Sequence, residues 1–316
     1  MSELHVVFGT GPLGLSVARE LALRGKRVRM VNRSGKSDPT LTPQGVEICA
    51  ADLYSPSAAA EMTQGAVAAY QCAQPAYNKW VQEFPPLQAA IIEGVGQSGA
   101  KLVLGDNLYM YGKTGGAAMR EDSPHNPVAK KSKLRAAMAD SAMAAHKSGK
   151  VRLAIGRGAD FYGPGVLGSA FGDRVFPAIL AGKAGEMTGN GDLPHTITYI
   201  YDFGKALVNL GESDDAMGQI WHVPNAPTTT QRQFLAKVFE AAGKPAKYTT
   251  ISPLMMRLAG LFIPSAGEVV EMMYEFTESF VVDHSKYMKA FGNHATSHTD
   301  GIKATLDWYK ANPAIH

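Results

Sequence analysis

Leu4-His5-Val6-Val7-Phe8-Gly9-Thr10-Gly11-Pro12-Leu13-Gly14 decides how this chain is read. An apolar strand enters a glycine turn, and an alanine- and leucine-rich helix, Leu15 to Arg24, follows at once. The glycines have Gly-x-Gly-x-x-Gly spacing, and each has a mechanical task in a dinucleotide site. Gly9 permits the tight turn, Gly11 lets the backbone approach a pyrophosphate, and Gly14 lets helix and strand pack closely. The amino end of the helix offers unpaired N–H groups and a positive dipole end to phosphate. With 33 glycines in the chain the spacing alone is weak evidence, so its context matters. Gly25 stops the helix, and Arg27 to Val31 reads as a second strand. Gly9, Thr10, Gly11, Pro12, Leu13 and Gly14 are therefore cofactor-binding candidates.

The 316 residues suffice for one large domain or two. An apolar share of 45% is ordinary for a globular protein, and a net charge of +3 is too small to indicate a nucleic-acid partner. The one basic run, Lys130-Lys131-Ser132-Lys133-Leu134-Arg135, has the character of a solvated helix face. No segment is long enough to span a membrane; Leu258 to Ile263 is stopped by Pro264. The first strand begins within a few residues of the amino terminus and leaves no room for a signal peptide, so a cytoplasmic protein is expected. Cys49 and Cys72, in apolar strand-like surroundings, are expected to be reduced and buried.

The second strand ends in Asn32-Arg33-Ser34-Gly35, where a dinucleotide fold selects its cofactor. A carboxylate here would bond the ribose 2′-hydroxyl and repel a 2′-phosphate; an amide, a guanidinium and a hydroxyl all donate to phosphate, which favours NADP(H). Val46 to Ala50 is a third strand. Asp52, beside Leu53, is placed either to accept from the adenine amino group or to cap the helix Ser55 to Met62. Ala66 to Tyr70 is a fourth strand, whose continuation through Cys72, Ala73 and Gln74 would line the nicotinamide ribose. Pro85 to Gly99 has helical spacing and Lys101 to Leu104 is a fifth strand. This alternation implies a Rossmann-type α/β fold, a doubly wound parallel sheet with right-handed crossovers. The expected division is a cofactor domain over 1–165, its sheet completed by segments near 195–225, and a smaller α/β substrate-binding region over 166–316.

Further motifs are Gly105-Asp106-Asn107-Leu108-Tyr109-Met110-Tyr111-Gly112, the run His125 to Ala136, and Arg157-Gly158-Ala159-Asp160-Phe161-Tyr162-Gly163-Pro164-Gly165. To these are added His195-Thr196-Ile197-Thr198-Tyr199-Ile200-Tyr201-Asp202, Trp221-His222-Val223 and the helix start at Thr228-Thr229-Thr230. Together they make the chain resemble, over nearly its whole length, the extended short-chain dehydrogenase/reductase superfamily that contains the NAD-dependent epimerases, dehydratases and related reductases. The resemblance implies a tyrosine four residues before a helical lysine, the tyrosine moving a proton and the lysine lowering its pKa while holding the ribose. Lys133 fits the lysine, but the tyrosine position holds Ala129, which transfers no proton. The family's serine falls on Asn107, and the usual glycine at the opening of the turn falls on Phe8. The chain thus resembles an atypical branch.

Period-two alternation at the end of the fifth strand would place Asn107, Tyr109 and Tyr111 on one side. Asn107 would then polarise a carbonyl, with Tyr109 either the replacement acid or a pocket wall, and Tyr111 a packing residue. A cation such as Lys133 would help a phenol that titrates near ~10. Tyr162 and His195 are substrate-contact candidates, although a tyrosine in a glycine-proline turn and a histidine without a paired carboxylate are ordinarily structural. No metal spacing or nucleophile elbow occurs. Met255, Met256, Leu258, Leu261 and Phe262, then Met272, Met273, Tyr274 and Phe276, supply apolar surface that favours an apolar or aromatic substrate, unless Glu268 to Phe280 forms a homodimer face. The expected activity is an NADPH-dependent reductase, or a dehydrogenase in reverse, acting on a small-molecule carbonyl. The alternatives are an epimerase, isomerase or dehydratase that retains NADP(H), and a non-catalytic NADP(H) redox sensor.

Overall fold

The computed structural model describes residues 2–252, 254–256 and 270–313. In chain order the first half contains β1 (Leu4–Phe8), α1 (Pro12–Leu23), β2 (Arg27–Asn32), β3 (Glu47–Ala50), α2 (Pro56–Met62), β4 (Ala66–Gln71), α3 (Trp80–Ser98), β5 (Lys101–Asp106), α4 (Lys130–Lys147) and β6 (Arg152–Arg157). Next come β7 (Asp160–Tyr162), α5 (Phe176–Leu180), β8 (Gly185–Thr188), β9 (Pro194–His195), β10 (Ile197–Tyr199), α6 (Ile200–Glu212), β11 (Ile220–His222), β12 (Thr229–Thr230), α7 (Gln231–Ala242) and β13 (Tyr248–Ile251). Helices Ser285–Phe291 and His298–Ala311 follow. The chain folds as two compact units, one of Met1–Asn107, Leu134–Gly158 and Phe203–Val223, the other of Leu108–Lys133, Ala159–Asp202 and Pro224–His316.

The first unit is a seven-stranded sheet in the order β11-β6-β5-β4-β1-β2-β3, with each neighbouring pair parallel. The chain winds from β1 outward through β2 and β3, then returns to the other side of β1 at β4. That reversal is the topological switch point at which open α/β sheets bind ligands, at the carboxyl ends of the strands. Strand β1 is buried at every position, as expected for a strand covered on both faces. The fold class read from the sequence is therefore the observed one. Of the stretch near 195–225, only Ile220–His222 enters this sheet; β9 and β10 pair with β12 and β7.

Helix α3 begins at Trp80, not at Pro85. Pro85 and Pro86 suit a helix start, but tertiary packing extends the helix ahead of them. Trp80 and Phe84 are buried, and the Arg135 guanidinium lies 5.7 Å from the first ring centroid and 4.6 Å from the second. The fifth strand runs two residues beyond Leu104, to Asp106. Beyond it the alternation expected for Asn107, Tyr109 and Tyr111 is lost, because Tyr109–Tyr111 forms a 3₁₀ turn. Asp202, expected just before a helix, lies in the first turn of α6.

The second unit is built around aromatic side chains. Tyr162, Phe171, Phe176, Tyr199, Phe234, Phe239 and Tyr309 share one core cluster, with Phe234 edge-on to Tyr162 at 4.9 Å and to Phe171 at 5.5 Å. Its short strands pair as β7 with β10, β8 with β13 and β9 with β12. Helix α7 starts with a full capping box, Thr230 accepting from the Gln233 N–H while the Gln233 side chain accepts from the Thr230 N–H. Leu258, Leu261, Phe262 and the beginning of the Glu268–Phe280 stretch lie outside the described residues. The rest of that stretch is not a continuous helix: Met273–Phe276 is a 3₁₀ turn, and Met272, Met273, Tyr274 and Phe276 are buried in this chain. Met256 is also buried, whereas Met255 is exposed. No helix among the described residues is long and apolar enough to cross a membrane. Phe234→Ala should lower unfolding free energy by about 3–5 kcal/mol, the usual range for a buried phenylalanine, measured by urea or thermal denaturation.

Candidate functional site

In the first unit the glycine turn has the geometry a phosphate cradle requires. Gly9 sits at φ +103°, where a Cβ would stand 2.7 Å from the Ala73 nitrogen. A Cβ on Gly14 would stand 2.2 Å from the Gly9 carbonyl oxygen. Both positions therefore exclude a side chain. A Cβ on Gly11 would meet nothing within 4 Å, so the turn faces open space there. Gly11 caps α1 without a side-chain hydrogen bond and Pro12 starts the helix, leaving the amino end of α1 to an external acceptor. These residues fit a dinucleotide pyrophosphate.

At the end of β2 the three candidates have different roles. The Asn32 carboxamide holds its own turn: Nδ2 donates to the Thr10 hydroxyl at 2.6 Å and the Lys36 carbonyl at 2.6 Å, while Oδ1 accepts from the Ser34 and Gly35 N–H groups at 3.1 and 2.7 Å. Arg33 and Ser34 are exposed on that turn. Asp52 accepts from the Tyr54 N–H at 3.0 Å, and Ser55, not Asp52, caps α2. Leu53 is buried. Past β4, the Cys72 N–H donates to the Phe8 carbonyl at 2.9 Å and Ala73 lies against Gly9, while Gln74 is exposed. The two cysteines are free and partly exposed, which corrects the expectation of buried thiols. Burial nevertheless pushes the Cys72 thiol well up.

The ends of β5 and β6 carry a buried ionic cluster that no sequence motif announces. Asp106 Oδ1 accepts from Arg135 Nε at 3.0 Å, from Arg135 Nη2 and from the Asn107 N–H at 2.8 Å; Oδ2 accepts from Arg157 Nε at 3.1 Å. Side-chain exposure is 5% for Arg135, 0% for Arg157 and 4% for Asp106, so the charges meet in a low-dielectric interior. Burial opposes ionisation of Asp106, but the two guanidiniums outweigh it and hold the carboxyl below its ordinary value.

In the second unit Tyr109 packs against a buried cluster of Ala129, Met272 and Tyr274, and the Tyr274 hydroxyl donates to the Tyr109 carbonyl at 3.3 Å. The structure thus brings two phenol-bearing residues to Ala129, the position at which the family pattern expects a tyrosine. Lys133 is exposed on α4. The buried lysine of that helix is Lys131, 2% exposed, with Nζ 3.4 Å from Glu271. Glu271 also accepts from the Lys130 N–H at 2.9 Å and so caps the start of α4. Periodicity could not identify this pair because its members lie 140 residues apart.

Tyr162, a substrate-contact candidate, is wholly buried in the aromatic core. His195 is also buried, and it has the carboxylate that the sequence did not reveal: Nε2 lies 2.9 Å from Asp160 Oδ2. Its ring stacks on Phe276 and Phe280 at 5.2 and 4.8 Å. Glu275 is 4% exposed and its Oε1 has no hydrogen-bond partner among the described residues. Burial, aided by the Asp160 charge, pushes its carboxyl well above the ordinary range. No group of three His, Cys, Asp or Glu side chains among the described residues is arranged to hold a metal ion.

A parallel sheet with a glycine turn at its switch point defines a Rossmann-type α/β fold. The pattern of the NAD dependent epimerase/dehydratase family matches residues 6–223, and the chain belongs to that family. No curated protein sequence matches. Among solved structures, the chain is similar to a UDP-glucose 4-epimerase from Thermus thermophilus in complex with NAD, at TM-score 0.77 and 18% identity, covering 97% of this chain and 99% of that one. It is also similar to a UDP-glucuronic acid 4-epimerase from Bacillus cereus in complex with NAD, at TM-score 0.78 and 16% identity over 98% and 99% of the two chains. A dTDP-glucose 4,6-dehydratase from Streptomyces venezuelae gives TM-score 0.78 and 15% identity over 99% and 98%. At these identities the likeness concerns the fold.

Glu275 provides a pH test of this part of the fold. Its folded pKa lies above its unfolded value, so stability present below the unfolded pKa is lost as pH rises toward the folded pKa. Glu275→Gln should therefore become progressively more stable than the parent as pH rises from the ordinary carboxylate value toward the raised folded one, by about 1.4 kcal/mol per pH unit in that window. Thermal unfolding across that pH range measures it; a constant difference between the two proteins would contradict it.

Proposed function

We propose that this protein is an NADP(H)-dependent oxidoreductase that reduces a carbonyl of a small, mainly apolar or aromatic molecule, or runs the reverse oxidation. The bound cofactor supplies or accepts the hydride; the chain must hold it, orient the substrate and handle one proton. In this reading residues 1–165 mainly hold the cofactor and 166–316 mainly the substrate. The Gly9–Gly14 turn receives the pyrophosphate, and Arg33, exposed where the 2′-substituent of the ribose would lie, supplies charge-assisted hydrogen bonds to a 2′-phosphate. Asn107 donates to the carbonyl oxygen, and Tyr109 transfers the proton.

The observation that carries this reading is the packing of Tyr109 against the Ala129 cluster, which supplies a phenol beside the position where the family pattern would have one. Lys131, buried beside Glu271, is a second candidate cation on the same helix as the exposed Lys133. His195, oriented by Asp160, belongs to the substrate side. The second reading, an epimerase, isomerase or dehydratase that retains its cofactor and returns the hydride, is favoured by the family itself and by the sugar-nucleotide enzymes that share the fold.

Arg33→Ala should weaken NADPH binding at least about tenfold while leaving NADH nearly unchanged, the loss expected for one charge-assisted phosphate contact. Fluorescence titration of both cofactors checks this, and equal loss of both would remove the NADP(H) preference. Tyr109→Phe should depress turnover by about 10²-fold or more, the scale of general acid–base catalysis, with cofactor affinity retained. A panel of aliphatic and aromatic ketones and aldehydes followed by NADPH absorbance supplies the assay; unchanged turnover would exclude the acid role.

A further inference from the structure

Two arginines converge on one aspartate in the interior of the first unit, so the three side chains carry one more positive than negative charge. Arg135 and the Asn107 N–H both bond to Asp106 Oδ1, and Arg157 bonds to Oδ2. The second guanidinium, Arg157, is itself removed from water, and desolvating a further charge is costly. Nη1 of Arg135 is buried with no hydrogen-bond partner among the described residues. The three side chains bring two positive charges and one negative charge into the interior.

Their location gives this charge a use. Asp106 and Arg157 are the last residues of β5 and β6, and β5 adjoins β4, whose continuation at Ala73 lies against the glycine turn. A dinucleotide with its pyrophosphate on that turn and its adenosine toward β2 and β3 extends its other end along the carboxyl edges of β4, β5 and β6. The group at that end changes charge with redox state: the oxidised nicotinamide ring is cationic, the dihydronicotinamide neutral. A positive charge held in a poorly screened interior disfavours the cation and leaves the neutral ring unaffected.

We infer that the Arg135–Asp106–Arg157 cluster sets the redox preference of the bound cofactor, making the protein bind the reduced dinucleotide more tightly than the oxidised one. The inference rests on the cofactor reading proposed above. Either reaction direction accommodates it: a reductase loads the reduced form and releases the oxidised one, and a cofactor-retaining enzyme is helped to draw hydride from its substrate.

The test needs no substrate. Dissociation constants for NADPH and NADP+ are measured by fluorescence titration and calorimetry on the full chain, on Arg135→Gln, which keeps a hydrogen-bonding side chain without the charge, and on Arg135→Lys, which keeps the charge. The parent protein should favour NADPH about tenfold or more, a factor equivalent to about 1.4 kcal/mol. Arg135→Gln should reduce that ratio several-fold, and Arg135→Lys should preserve most of it. A parent ratio near one overturns the inference without recourse to any variant. Equal reduction in Gln and Lys variants that unfold at similar temperatures overturns it in favour of a purely steric role. Failure of the parent to bind either NADP(H) or NAD(H) overturns the cofactor reading itself.

Discussion

Asp106 is the point on which the first unit depends. Its carboxylate joins the end of β5, the end of β6 and the first turns of α4 through Arg157 and Arg135, and its backbone carbonyl accepts from the Gly158 N–H at 3.0 Å. Arg135 in turn lies over Trp80 and Phe84, so the same ion pair holds the first turn of α3 ahead of two prolines. Removing one member of such a buried cluster strands the others without compensation, a loss that commonly reaches about 3–5 kcal/mol. The carboxyl edge of the sheet is therefore stiff where Asn107 leaves it, and a residue proposed to polarise a carbonyl benefits from a fixed backbone.

The second unit uses a different principle. Its strands are two to four residues long, too short to stabilise themselves, and its order comes from stacked and edge-on aromatic rings. Polar groups are inserted into that apolar setting in a few places: His195 with Asp160, Lys131 with Glu271, and the protonation-prone Glu275. Residues 271–276 reach all three, Glu271 through α4, Glu275 through the Asp160 charge and Phe276 through the His195 ring. A short 3₁₀ turn thus connects the surroundings of Ala129 with those of His195. Met272, Met273, Tyr274 and Phe276, part of the apolar stretch noted in the sequence, are buried among these polar groups.

The sequence by itself determined the Rossmann fold, because the information is local. Strand-turn-helix at Leu4–Leu23, the glycine spacing and the repeated alternation of apolar strands with helices each depend on residues a few positions apart, where backbone sterics and periodicity act. The same holds for the glycine turn at Gly9–Gly14 and for Arg33 at the end of β2. Only the tertiary structure decided which lysine of Lys130–Lys133 is buried, that Tyr162 is core, that His195 has a carboxylate partner, and that Asp106 binds two arginines. The ion pairs among these facts join residues 29 to 140 positions apart, brought together by packing. A side chain's charge state and accessibility follow from what surrounds it in space, and that environment is assembled only when the chain has folded.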